Sequence, residues 1–161
     1  MQRFGCFIMM MIFLIGAVHI GYAKTVQLRS FDEILKALTS GNTVKAVFHY
    51  KGCKLIRDNE EVERVPDAIG GMELSTFEYF APGSIGNKNG FISSSRAVLI
   101  NHPDYGFVMN YAKVRINDNN KIQIIAQYLT PNTYEIKMDE SFYTVIDDGQ
   151  NNGAAYFYLQ E

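Results

Sequence analysis

Apolar residues change their spacing along this chain, and each change of period marks an element. After an almost unbroken apolar run at the start, Phe31, Ile34, Leu35 and Leu38 recur at i, i+3, i+4 and i+7, the single stripe of an amphipathic helix. Ser30-Phe31-Asp32-Glu33 is a capping box: the Ser30 hydroxyl takes the Glu33 amide while the Glu33 carboxylate reaches back to the cap amide. Asp32 and Glu33 also suit the positive end of the helix dipole, and Gly41 offers a left-handed residue to close it. The spacing predicts a helix from Phe31 to Ser40.

From Thr43 the period drops to two. Val44, Ala46, Phe48 and Tyr50 alternate with Lys45, Val47 and His49, which predicts a strand with one wetter face. The charged, aperiodic run from Arg57 to Arg64 reads as part of a long polar loop, Lys54 to Gly70. Further strands are expected at Met72 to Tyr79, Phe91 to Asn101, Phe107 to Ile116, Lys121 to Leu129, Thr133 to Met138, Ser141 to Ile146 and Ala154 to Leu159. Pro82-Gly83, Pro103-Asp104-Tyr105-Gly106, Asn117 to Asn120 and Pro131-Asn132 carry the turn chemistry between them. Connections this short join antiparallel strands, because parallel pairs need a crossover of a dozen or more residues. The expected fold is mostly β: an N-terminal helix, then about eight antiparallel strands in a meander, curled into a barrel-like or sandwich sheet.

The opening apolar run says where such a domain works. Arg3 supplies a positive start, Phe7 to Val18 the apolar stretch, and Gly21-Tyr22-Ala23 the small residues a signal peptidase reads. Residues 1–23 therefore read as a cleaved secretory signal peptide and residues 24–161 as a single β-rich domain. About 12 to 14 apolar residues fall short of the roughly 20 that span a bilayer, so no stable membrane insertion is expected after cleavage. The expected location is the periplasm or the medium. The lack of an Asn-x-Ser/Thr sequon and of a Leu-x-x-Cys lipidation pattern fits a periplasmic protein.

Charge and cysteine usage narrow the function classes. Without Arg3, 14 Lys and Arg face 17 Asp and Glu, a net charge of 14 − 17 = −3. No basic stripe is present, which argues against nucleic acid and acidic membrane surfaces as partners. Cys6 leaves with the leader, so Cys53 is the lone thiol. It reads as a buried core residue, as the link of a Cys53–Cys53 dimer, or as a nucleophile. His49 precedes it by four residues, but along an extended strand the two side chains stand about 13 Å apart at ~3.3 Å per residue.

With only His49 and His102 outside the leader, the three or four ligands of a zinc site are not in view. Asp147 to Gly153 lacks the spacing of a calcium loop and reads as a polar hairpin loop. No metal and no cofactor are expected. Asp139-Glu140 and Asp147-Asp148 read as a solvated acidic edge. Tyr50, Tyr79, Tyr111, Tyr128 and Tyr143 belong either to the core or to the wall of a cavity for a small apolar ligand.

Phe31-Asp32-Glu33-Ile34-Leu35-Lys36-Ala37-Leu38-Thr39-Ser40-Gly41, followed by Val44-Lys45-Ala46-Val47 and Cys53, resembles the opening of the VirK family. Gly70-Gly71-Met72-Glu73-Leu74, Gly90-Phe91-Ile92 and the pair Asn110 to Asp118 with Lys121 to Ile124 are similar to later steps of its pattern. The resemblance covers nearly all of the chain after the leader. It implies an exported protein of a Gram-negative bacterium, associated with virulence regions rather than with an activity. The expected function is that of an exported binding or interaction protein for an unknown protein or small apolar ligand. Its binding surface is expected at the barrel mouth, or at the loops Arg57 to Arg64 and Ser84 to Gly90. The alternative is a small secreted hydrolase using Cys53 or a carboxylate pair.

Overall fold

The helix begins where its cap predicts. In the computed structural model, which describes residues 25–160, helix α1 runs Phe31–Thr39 and the Ser30 hydroxyl accepts the Glu33 amide at 3.3 Å. The Glu33 carboxylate reaches one residue further back than expected, to the Arg29 amide at 2.6 Å. Phe31, Ile34, Ala37 and Leu38 form its buried face. The signal peptide expected over residues 1–23 lies outside the described residues, and no helix among those described is long and apolar enough to cross a membrane.

Among the described residues the helix is accompanied by eleven strands: β1 (Thr25–Leu28), β2 (Thr43–His49), β3 (Lys54–Arg57), β4 (Glu60–Val62), β5 (Ile69–Glu73), β6 (Phe77–Phe80), β7 (Phe91–His102), β8 (Gly106–Asn117), β9 (Lys121–Leu129), β10 (Ile136–Val145) and β11 (Ala155–Gln160). They form a four-stranded sheet, β1-β11-β2-β5, and a seven-stranded sheet, β4-β3-β10-β9-β8-β7-β6. Every pairing between named strands is antiparallel. The mostly β, antiparallel class is as the sequence predicts, and β6 to β10 follow one another as a meander. The meander is not general, since β11 returns to lie between β1 and β2. Neither sheet closes into a barrel.

Three segments differ from expectation, each for a local reason. The stretch expected as a polar loop from Lys54 to Gly70 contains the β3–β4 hairpin, turned by Asp58 and Asn59 with φ of +52° and +65°. Two consecutive residues in the left-handed region match the tight turns favoured by hairpins. Leu55 is the single fully buried side chain of these two short strands, so no period-two pattern could form. Met72 to Tyr79 is not one strand: β5 and β6 belong to different sheets, and the chain crosses between them after the buried Leu74. Thr133 to Met138 and Ser141 to Ile146 are largely one strand, β10, with a register shift between Ile136 and Met138.

One apolar cluster joins the two sheets and the helix. Phe48 and Phe157 of the small sheet meet edge to face at 6.3 Å, and Ile34 and Leu38 of α1 share their cluster. Leu55, Ile92, Val114, Ile116, Ile122, Ile124 and Phe142 supply the large sheet's side. Each such side chain contributes about 1.5–3 kcal/mol by leaving water. Burial along β7 stops at Ser94, and Ser95 to Leu99 are exposed. The outer half of the β7–β8 hairpin thus runs past the shared core, and its turn forms one wall of an open cleft.

Candidate functional site

That turn is held in shape by its own residues. His102 Nδ1 accepts the Asp104 amide at 3.1 Å, and the Tyr105 ring stacks on His102 at 4.8 Å with 27° between planes. Tyr128 of β9 closes the group, 4.9 Å from His102 and 6.1 Å from Tyr105 between ring centres. Register places Tyr128 between Asn110 of β8 and Met138 of β10. Its side chain follows Ile122, Ile124 and Ala126 along the core-facing side of β9, two residues apart.

An ion pair from the neighbouring strands, on the same face of the sheet, lies beside these rings. Arg57, last residue of β3, directs its Nε to Glu140 Oε1 at 3.1 Å and its Nη2 to the same oxygen. The Glu140 side chain is only 12% exposed, whereas that of Arg57 is 48% exposed. The carboxylate is thus held largely out of water with one oxygen engaged, while the guanidinium keeps donors turned to solvent. Between the rings and the pair lies an open cleft of about 540 Å³, with Asp58 and Lys137 also on its lining. Nearby, Tyr50 packs on Phe142 at 4.5 Å. Burial pushes its phenol pKa up, and the neighbouring Cys53, Tyr128 and Glu140 add to that.

The residues singled out from sequence fall in different places. Cys53 is 6% exposed, and its Sγ meets the His49 carbonyl at 3.6 Å. Burial pushes the thiol pKa up, against a smaller opposing effect of a hydrogen bond with Thr144. The His49 ring packs instead against Tyr156, tilted by 53° with ring centres 4.9 Å apart. A protonated thiol whose neighbouring histidine offers a carbonyl rather than its ring is not arranged for nucleophilic attack.

Of the five tyrosines, Tyr128 alone lines the cleft, and Tyr50 packs on Phe142. Tyr79 lies beside Phe31 at 6.3 Å. Tyr111 occupies the face of β8 opposite Val108 and Val114. Tyr143 accepts Gln123 Nε2 at 3.0 Å on the face of β10 opposite Phe142.

The acidic stretches have separate local tasks. Asp148 Oδ1 accepts the Gln150 and Asn151 amides, each at 2.8 Å, which holds its carboxyl below the usual range. Asp147 accepts Gln27 Nε2 at 3.1 Å. Among the described residues no group of three or more His, Cys, Asp or Glu is placed to hold a metal ion.

Sequence reasoning passed over Glu140 as edge charge and His102 and Tyr105 as turn residues. It did reach Arg57, as the start of a loop proposed for binding. The partner of Arg57 is 83 residues away, and nothing in a local pattern joins the two.

A family model described as VirK protein matches residues 27–134, two-thirds of the chain. The matched span includes Arg57, His102, Tyr105 and Tyr128 and stops short of Glu140. The fold is similar to the crystal structure of lpg1832, a VirK family protein from Legionella pneumophila, with a TM-score of 0.61 at 16% sequence identity. That alignment covers 82% of this chain and 98% of the other. At such identity it speaks to fold. No curated protein matches the chain.

Proposed function

This chain belongs to the VirK family, and from that premise and the cleft together we propose that it is an exported binding protein. The two open sheets form a sandwich whose uncovered end is the binding site. One observation carries the reading: three rings packed on one another and a half-buried ion pair, drawn from β3, the β7–β8 turn, β9 and β10, line a single cleft. Its volume of about 540 Å³ suits a small ligand. His102, Tyr105 and Tyr128 offer faces for a ring, while Arg57 and Glu140 offer donors and an acceptor to a polar group beside it. A small molecule with an apolar ring and one polar substituent fits best. The leader pattern of residues 1–23 supports export. A lone thiol that is buried and protonated is suited to an oxidising compartment.

Native mass spectrometry of the protein recovered from the exported fraction tests both parts. The expected spectrum shows a chain beginning at Lys24 with a non-covalent added mass, and Tyr128→Ala abolishes the added mass while leaving the chain folded. A full-length chain confined to the cells would overturn export. A bare wild-type chain, or an adduct indifferent to Tyr128→Ala, would overturn the cleft.

A further inference from the structure

The seven-stranded sheet has an unprotected edge. β7 is 12 residues long, and β6 pairs with only its first four, Phe91 to Ser94. Ser95 to His102 has no strand on that side among the described residues. The hydrogen-bond pattern fixes which backbone groups are left over. The Asp118 amide donates to the Gly90 carbonyl at 2.9 Å, and the β7–β8 register continues from there in single steps. Antiparallel strands alternate the side to which they bond, so the even-numbered residues of β7 bond to β8. Ser95, Ala97, Leu99 and Asn101 therefore point both N–H and C=O at the open edge.

Sheet edges are ordinarily blunted by short length, charge or proline. The other edges of this sheet follow that rule: β6 has four residues, and β4 has three, two of them glutamates. The free stretch of β7 does not. It carries one charge, Arg96, and exposes Val98 (43%) and Leu99 (55%).

We propose that this edge pairs with the same edge of a second copy of the chain, antiparallel about a two-fold axis at Val98. That register is self-complementary. Ala97 faces Leu99 of the other copy and Ser95 faces Asn101, so all four outward residues of each copy find a ladder partner. Val98 meets its own equivalent, and Arg96 lies opposite Ile100. The two arginines stand about 13 Å apart, at ~3.3 Å per residue, so no like charges oppose one another.

Side chains support the same occupant. Leu99, Met109, Leu129 and Ile136 are successive register partners across β7, β8, β9 and β10, an apolar row that ends at the open edge. Pairing brings Ala97 of the second copy, and its partner Tyr111 behind it, onto the end of that row. The buried Cys53 takes no part, so the dimer is non-covalent.

Sedimentation of the exported protein over a hundredfold concentration range tests this, with two disrupting variants and one control. Leu99→Pro removes an N–H that only the second copy uses and breaks no bond to β8. Val98→Lys sets two ammonium groups against each other at the axis, whereas Val98→Thr keeps a neutral, branched side chain. The expected result is a dimer, with or without reductant, weakened at least about tenfold by Leu99→Pro and Val98→Lys but not by Val98→Thr. Unchanged circular dichroism spectra check that each variant folds. A monomer at every concentration would overturn the proposal, as would a dimer that both variants leave intact. An extended peptide found on this edge in a monomeric protein would also overturn it.

Discussion

Gly153 has no room for a side chain: a Cβ there would lie 2.7 Å from the backbone of Asp147, at the bend that leads β10 toward β11. Gly153→Ala is expected to lower the unfolding free energy by about 1–3 kcal/mol, read from urea denaturation. Cys53 gives a prediction in pH. Burial raises its thiol pKa, so the folded protein keeps a proton that the unfolded chain begins to lose near pH 8.5. Stability then declines as pH rises above that value, and Cys53→Ala removes this part of the slope. Comparing urea midpoints of the two proteins from pH 7 to pH 10 checks it. The burial of Cys53 matches what a lone cysteine at a strand end suggests. The Arg57–Glu140 contact had no such signal, because each residue reads locally as solvated charge.

Elements whose instructions lie within a few residues were readable from the sequence. Helix α1 is the clearest case, since its cap, stripe and closing residue all fall between Ser30 and Gly41. Ser30→Ala should cost about 1 kcal/mol, measured by thermal or urea unfolding. Long strands with alternating burial, such as β2 and β9, were equally plain. The β3–β4 hairpin was not, because its charged residues face water on an edge and Leu55 alone reports the core. Its turn makes its own prediction. Asn59 sits at φ +65°, so Asn59→Val should destabilise by about 1–2 kcal/mol while Asn59→Gly is tolerated. Urea titration of the two variants separates these outcomes. Asp139-Glu140 hid the continuity of β10 for a related reason: a charge inside a strand resembles a break until its partner is known.

At the scale of the molecule, strand count and sheet membership depend on pairings far apart in sequence. β11 reaches back to β1 and β2, and β10 to β3. No periodicity encodes such choices, which is why a meander was expected where two sheets form. The cleft is a product of that arrangement. The β7–β8 hairpin outruns the core, the β3–β4 hairpin pairs onto β10, and the rings and ion pair come to line one cleft. Binding there is the central claim. A photoreactive residue in place of Tyr128, with another in place of the exposed Ile85 as control, tests it in living cells. Irradiation should join a ligand to the protein at position 128 and not at position 85. No adduct at 128, or equal labelling at both positions, would contradict a binding role for the cleft.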